Sequence, residues 1–85
     1  MKLQVLYFGE LRESVGAASE HVEIGLTAPK VAELLDTLIE RGDPWHGALT
    51  SSEPLRVAVN QEMASLHTPL TDGAEVALFR PVTGG

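Results

Sequence analysis

The chain has 85 residues, no cysteine, and 12 acidic against 6 basic residues, giving a net charge of −6. This length predicts one small domain, and the missing cysteines exclude disulfides, thiolate metal ligands and a cysteine nucleophile. The excess of acidic residues and the scattered basic residues make nucleic acid an unexpected partner. The sequence has neither a long apolar run nor a secretion signal, which predicts a cytoplasmic protein without a membrane span.

The first third of the chain predicts two paired strands separated by a short helix. Residues 2–8 are apolar on both faces and predict a central strand. Residues 10–15 carry Leu11 and Val15 four positions apart, which indicates a short amphipathic helix. Residues 19–25 alternate, with Val22 and Ile24 on one side, and predict a half-exposed strand that pairs with the first.

The clearest element is an amphipathic helix over residues 28–41. Thr27 is the predicted N-cap, with Pro29 in the first turn, and Arg41 and Gly42 suit the C-terminal end. Its apolar stripe consists of Val31, Leu34, Leu35, Leu38 and Ile39. The following connection, residues 43–53, contains a predicted short turn around residues 45–49.

The second half of the chain predicts three further strands. Residues 55–60 form one strand, residues 60–62 a tight turn, and residues 63–66 pair back. A turn at Asp72-Gly73 precedes a last apolar strand over residues 74–80, which Pro81 ends. One helix must cover one face of this sheet, so the fold class is α+β, and the element order is that of the β-grasp, or ubiquitin-like, architecture. We expect a single domain over residues 1–80 and a flexible Gly-Gly tail over residues 81–85.

No set of residues in this sequence forms a self-contained active site. His21, His46 and His67 lack metal-ligand spacing and are expected at the surface, so no metal is predicted. The carboxylates of Glu10 and Glu13 are explained by a solvated helix face. A carrier, a protein modifier or a binding module is therefore favoured over an enzyme.

The Gly84-Gly85 end is the exception, because a segment without side chains can thread a narrow channel in another protein. A carboxylate is a poor electrophile, but adenylation by ATP would activate it. Attack by a sulfur nucleophile would then give a C-terminal thiocarboxylate, whereas transfer through an enzyme thiol to lysine would give an isopeptide. Neither route needs a catalytic residue on the carrier, and the sequence leaves both open.

Three stretches, residues 5–16, 57–61 and 69–85, carry a resemblance to a known family. The last reads Pro-Leu-Thr-Asp-Gly-Ala-Glu-Val-Ala-Leu-Phe-Arg-Pro-Val-Thr-Gly-Gly and is the most diagnostic. The chain resembles the small, sulfur-carrying subunit of molybdopterin synthase over nearly its whole length. It departs from the family pattern at Arg80, where many relatives carry proline.

The resemblance implies a complete sulfur-transfer role. Gly85 would be adenylated by a ubiquitin-activating-like enzyme that uses ATP, and would become a 1-thioglycine with sulfur supplied indirectly by a sulfurtransferase. Gly84 and Gly85 would insert into the large subunit, where sulfur converts cyclic pyranopterin monophosphate to molybdopterin. The assembly would be a heterotetramer whose catalytic groups lie in the large subunit, so this chain would bind no cofactor and would not be an enzyme on its own.

The family also uses an apolar patch on its sheet to hold partners, and the matching positions are Phe8, Met63 and Phe79. A place in the core is the alternative for these side chains, and the sequence leaves it open for Phe8 above all. The last residues before the glycines, Arg80, Pro81, Val82 and Thr83, complete the expected partner-binding set. For Arg80 the sequence leaves open a charge contact with the partner or a solvated side chain.

Two other functions remain open at this point. One is a related ubiquitin-like sulfur carrier or protein modifier, serving tRNA thiolation, another cofactor or lysine conjugation. The other is a β-grasp binding module whose tail is inert.

Overall fold

A computed structural model of the protein describes residues 1–81, so residues 82–85 of the predicted tail lie outside the described part. Eight elements follow one another along the chain. They are β1 (Lys2–Tyr7), α1 (Gly9–Val15), β2 (Ser19–Glu23), α2 (Val31–Ile39), α3 (Trp45–Leu49), β3 (Arg56–Val59), β4 (Glu62–Ala64) and β5 (Glu75–Phe79).

The five strands form one mixed sheet in the order β2-β1-β5-β3-β4. β1 and β5 run parallel, with Val5 opposite Val76, and the remaining neighbours are antiparallel. Parallel neighbours cannot be joined by a tight hairpin and need a long connection. The connection from β1 to β5 contains helices α1, α2 and α3, which pack on one face of the sheet. The predicted α+β, β-grasp architecture is confirmed, as is the central placement of the first strand, which lies next to the last strand.

The core lies between the sheet and the helices, and strand alternation selects its members. Successive side chains of a strand point to opposite faces, so Leu3, Val5 and Tyr7 of β1 are buried together. Val76 and Leu78 continue this layer on β5. The predicted stripe of α2 packs against it, with Val31, Leu34, Leu35 and Leu38 buried.

The predicted start of α2 is wrong by three residues. The helix begins at Val31, with Lys30 rather than Thr27 as its N-cap. Lys30 is held extended by a bridge to Pro69, and the Val31 amide donates to the Thr68 carbonyl at 3.0 Å. A neighbouring loop therefore supplies the hydrogen-bond partner that a capping side chain would otherwise provide, which the local sequence cannot show.

The predicted turn at Asp72-Gly73 is confirmed, and it ties the start of β5 to the start of β1. Gly73 adopts a φ of 82°, a left-handed conformation that favours glycine. Its amide donates to the Lys2 carbonyl at 2.7 Å, while Asp72 Oδ1 accepts from the Lys2 amide at 2.7 Å. These bonds lie at the start of the parallel pairing, so the C-terminal ends of β1 and β5 lie side by side at the same end of the sheet.

Candidate functional site

The helices leave the second face of the sheet uncovered, and a row of apolar side chains crosses it. Ala77 on β5 lies opposite Leu6 on β1 and Ala58 on β3, and Ala58 lies opposite Met63 on β4. Directly opposed residues share a face, so these side chains are neighbours. Phe8, just after β1, and Phe79, at the end of β5, each lie two residues beyond this row and on the same face. We call this surface the open face, and it consists of Leu6, Phe8, Ala58, Met63, Ala77 and Phe79.

Phe8 and Phe79 lie together at the end of the parallel pair. The Phe8 amide donates to the Leu78 carbonyl at 3.1 Å, which continues the β1–β5 pairing beyond Tyr7. The two rings border a shallow groove of about 640 Å³, with Ala77 in its lining and Pro81 at its end. Phe8 is 50% exposed and therefore lies outside the buried core. Phe79 is less exposed than Phe8, but it is not fully buried either.

Met63 is the most exposed large apolar side chain of the described residues, at 65%. It stands on the edge strand β4, across the two alanines from the phenylalanines. Because alanine side chains are small, the middle of the open face is a shallow depression between the larger side chains of Met63 and the two phenylalanines. Large apolar side chains that share one exposed surface are typical of a protein-binding site.

Arg80 borders the same groove as Phe8 and Phe79, but its guanidinium group lies on the helix side of the sheet. Its Nη2 donates to the Ala48 carbonyl at 2.6 Å and its Nη1 to Glu53 Oε2 at 3.0 Å. The side chain is only 15% exposed, so the interpretation of Arg80 as a solvated charge is wrong. Pro81 is half-buried beside it, and Val82, Thr83, Gly84 and Gly85 lie outside the described residues.

A polar network on the helix side was not predicted from the sequence. The Tyr7 hydroxyl donates to Glu20 Oε2 at 2.7 Å and accepts from Trp45 Nε1 at 3.2 Å. Arg41 donates to Glu20 Oε1 at 2.8 Å, and its guanidinium carbon lies 4.8 Å from the centre of the Trp45 ring. Burial, followed by the hydrogen bond to Glu20, raises the pKa of Tyr7 well above its ordinary range.

This network fixes the region after α2 and the start of α3 against β1 and β2, and so supports the sheet from behind. The spacing of Arg41 and Trp45 is the only local signal of it. Glu20 is distant in sequence, and nothing in its surroundings marks it as a partner.

No side-chain cluster in residues 1–81 is arranged to hold a metal ion. His21, His46 and His67 are all exposed, which confirms the prediction that they lie at the surface. Across the same residues, no helix has both the length and the apolar character needed to cross a membrane.

Comparison with known proteins agrees with this geometry. The model of the ThiS family matches residues 5–85. The chain belongs to this family. It is 42% identical to the molybdopterin synthase sulfur carrier subunit of Escherichia coli over 83 residues, covering 98% of this chain and 99% of the relative.

Two solved structures extend the comparison to the fold. SAMP1 from Haloferax volcanii is 29% identical, covers the whole of both chains and superposes with a TM-score of 0.80. A chain from the complex of subunits 1 and 2 of the molybdopterin-converting factor of Helicobacter pylori is 26% identical over the full length of both chains, with a TM-score of 0.65. Both solved structures share the overall fold of this chain.

Proposed function

We propose that this protein is a sulfur carrier of molybdenum cofactor biosynthesis. The observation that carries the proposal is the match to the Escherichia coli sulfur carrier subunit at 42% identity over 98% of this chain, and the match to the ThiS family extends to Gly85. The open face supports it, because a carrier without an active site needs a surface that holds the enzymes that act on it. This surface adjoins Pro81, from which the segment to Gly85 continues.

The proposed chemistry takes place at the carboxylate of Gly85. A ubiquitin-activating-like enzyme transfers AMP from ATP to this carboxylate and releases pyrophosphate. A persulfide on a sulfurtransferase attacks the acyl carbon and expels AMP, and a thiol then reduces the resulting acyl disulfide to the 1-thioglycine thiocarboxylate. In the large subunit the thiocarboxylate sulfur bonds to a carbon of cyclic pyranopterin monophosphate, and water hydrolyses the resulting thioester, which leaves the sulfur on the pterin and returns the carrier to its carboxylate form. A second thiocarboxylated carrier supplies the second sulfur of molybdopterin.

Binding is proposed to use the open face and the tail together. Phe8, Met63 and Phe79 pack against the large subunit, while Gly84 and Gly85 reach its active site. The complex of subunits 1 and 2 in Helicobacter pylori supports a two-subunit assembly, for which we propose a heterotetramer with the large subunits at its centre. The same open face would hold the adenylating enzyme in turn, since methionine adapts to different partner surfaces.

The carrier has no catalytic role of its own in this proposal. The catalytic groups belong to the large subunit and the activating enzyme, and the carrier binds no cofactor beyond its covalent thiocarboxylate. We place the pathway in the cytoplasm, where the small acidic domain meets both enzymes.

A protein modifier is the second candidate, and its supporting observation is the likeness to the small archaeal modifier protein 1 of Haloferax volcanii. In that case the adenylated Gly85 passes through an enzyme thiol to a lysine amine and forms an isopeptide. Both candidates use the same fold and tail, so the product distinguishes them.

Reconstitution with purified partners tests the proposal. We expect the carrier, incubated with its adenylating enzyme, ATP and a sulfur source, to gain the mass that replacement of one oxygen by sulfur produces. Addition of the large subunit and cyclic pyranopterin monophosphate should then yield molybdopterin. A chain lacking Gly85 should unfold at the same urea concentration as the intact chain, yet form neither thiocarboxylate nor molybdopterin.

Two results would contradict this assignment. Molybdopterin formation by the chain lacking Gly85 would show that the terminal glycine is not the sulfur donor. Lysine conjugates linked through Gly85, in the absence of pterin sulfuration, would favour the modifier.

A further inference from the structure

The guanidinium group of Arg80 joins the end of β5 to two other segments of the chain. Nη2 donates to the carbonyl of Ala48 in the last turn of α3, and Nη1 donates to Glu53 in the connection to β3. Backbone oxygens in the last turn of a helix lack donors within that helix, so Arg80 supplies one. Glu10 of α1 adds a second carboxylate, with Oε2 4.0 Å from Nη1.

Strand alternation explains why Arg80 takes this direction. Val76 and Leu78 point into the core, and Arg80 follows them onto the helix side, whereas Phe79 points to the open face. The hydrogen bonds of Arg80 therefore tie the end of β5 to the helix side of the sheet. Both terminal nitrogens of the guanidinium group have acceptors, whereas Nε is buried without a hydrogen-bond partner among residues 1–81, so these contacts compensate for only part of the hydration that the group loses at 15% exposure.

Arg80 and Pro81 are the point at which the chain leaves the domain toward Gly85. Group transfer is sensitive to the placement of the reacting atom, and an error of about 1 Å can slow a reaction about a hundredfold. Docking of the open face fixes the domain on its partner, but it does not by itself fix the backbone at residues 80–81.

We propose that Arg80 is a positioning residue for sulfur transfer. Its bonds to Ala48 and Glu53 hold residues 80–81 against the helices and so set the direction in which the tail is presented to the large subunit. This inference rests on the proposed function as a sulfur carrier, and it assigns Arg80 a role within this chain instead of a contact with the partner.

The test compares Arg80→Met, which keeps the length and apolar stem, with Arg80→Lys and Glu53→Gln. Each full-length, thiocarboxylated chain is bound to saturating large subunit and mixed with cyclic pyranopterin monophosphate in a single turnover. Arg80→Met should slow sulfur transfer about tenfold or more, while its Kd for the large subunit changes by less than about twofold. Arg80→Lys should recover part of the rate, because an ammonium can reach one of the two acceptors, and Glu53→Gln should lose less than Arg80→Met.

Three outcomes would overturn the inference. One is an unchanged single-turnover rate in the folded variants. Another is a rise in the Kd for the large subunit together with a rate that returns to the wild-type value once the large subunit is saturating, since this would make Arg80 a docking residue. If Arg80→Met does not fold, equal rates for Arg80→Lys, Glu53→Gln and the wild type would overturn it as well. A wild-type chain that transfers no sulfur would refute the proposed function and this inference with it, whereas the other outcomes leave the proposed function intact.

Discussion

Replacing Phe8 with alanine removes an aromatic ring from the open face and tests that face as the docking site. A phenylalanine buries about 150–250 Å² when fully enclosed. Because the side chain is 50% exposed, about 100 Å² remains available to a partner. At about 25 cal/mol per Å², covering that area contributes about 2.5 kcal/mol, so Phe8→Ala should weaken the complex with the large subunit about seventyfold.

Leu26→Ala is the matched control for this measurement. Leu26 is 48% exposed, nearly the same fraction as Phe8, but it lies in the connection between β2 and α2, outside the open face. Calorimetric titration of each full-length chain with the large subunit gives Kd, and urea unfolding gives the stability of each variant. We expect the Kd of Leu26→Ala to stay within about twofold of the wild type.

The reasoning would be refuted by a Phe8→Ala chain that binds as tightly as the wild type. Equal weakening by both substitutions would also refute it, since a general loss of stability would then explain the effect. Weakening by Phe8→Ala alone, with the domain still folded, identifies the open face as the surface that the partner covers.

Two predictions concern the fold that supports this surface. The raised pKa of Tyr7 means that the unfolded chain loses its phenolic proton first, so the contribution of Tyr7 to the free energy of unfolding should be constant below pH of about 10 and fall as pH rises above it. Urea unfolding across this pH range should show a steeper fall in the free energy of unfolding for the wild type than for Tyr7→Phe. Tyrosinate absorbance reports the titration of this one site, because the chain has a single tyrosine. Identical pH profiles for the two chains would contradict the burial argument. Gly73→Ala should lower the free energy of unfolding by about 1–2 kcal/mol, since an L-residue at a φ of 82° is strained although no atom obstructs the new Cβ. Gly25→Ala is its control, with equally open space and no left-handed φ, and a Gly73→Ala chain as stable as Gly25→Ala would show that the turn adapts.

Most elements follow from local patterns, and the exceptions have a common cause. The stripe of α2, the alternation of β2 and the turn at Gly73 each lie within a short stretch, so periodicity and turn chemistry predict them. The start of α2 was missed because the Val31 amide bonds to Thr68, far along the chain. The network of Tyr7, Glu20 and Trp45 was missed for the same reason.

The sequence by itself determined the fold class, the family resemblance and the Gly-Gly end on which the proposed chemistry depends. It left open whether Phe8 and Phe79 face the helices, because apolar residues occur on both faces toward the ends of these strands. The parallel pairing of β1 with β5 decides this, burying Tyr7 and Leu78 while leaving Phe8 partly exposed beside Phe79. Tertiary structure also decided the place of Arg80, whose acceptors are 27 and 32 residues away in the chain. Exposure and long-range hydrogen bonding depend on which segments meet, and that information is absent from any single stretch of sequence.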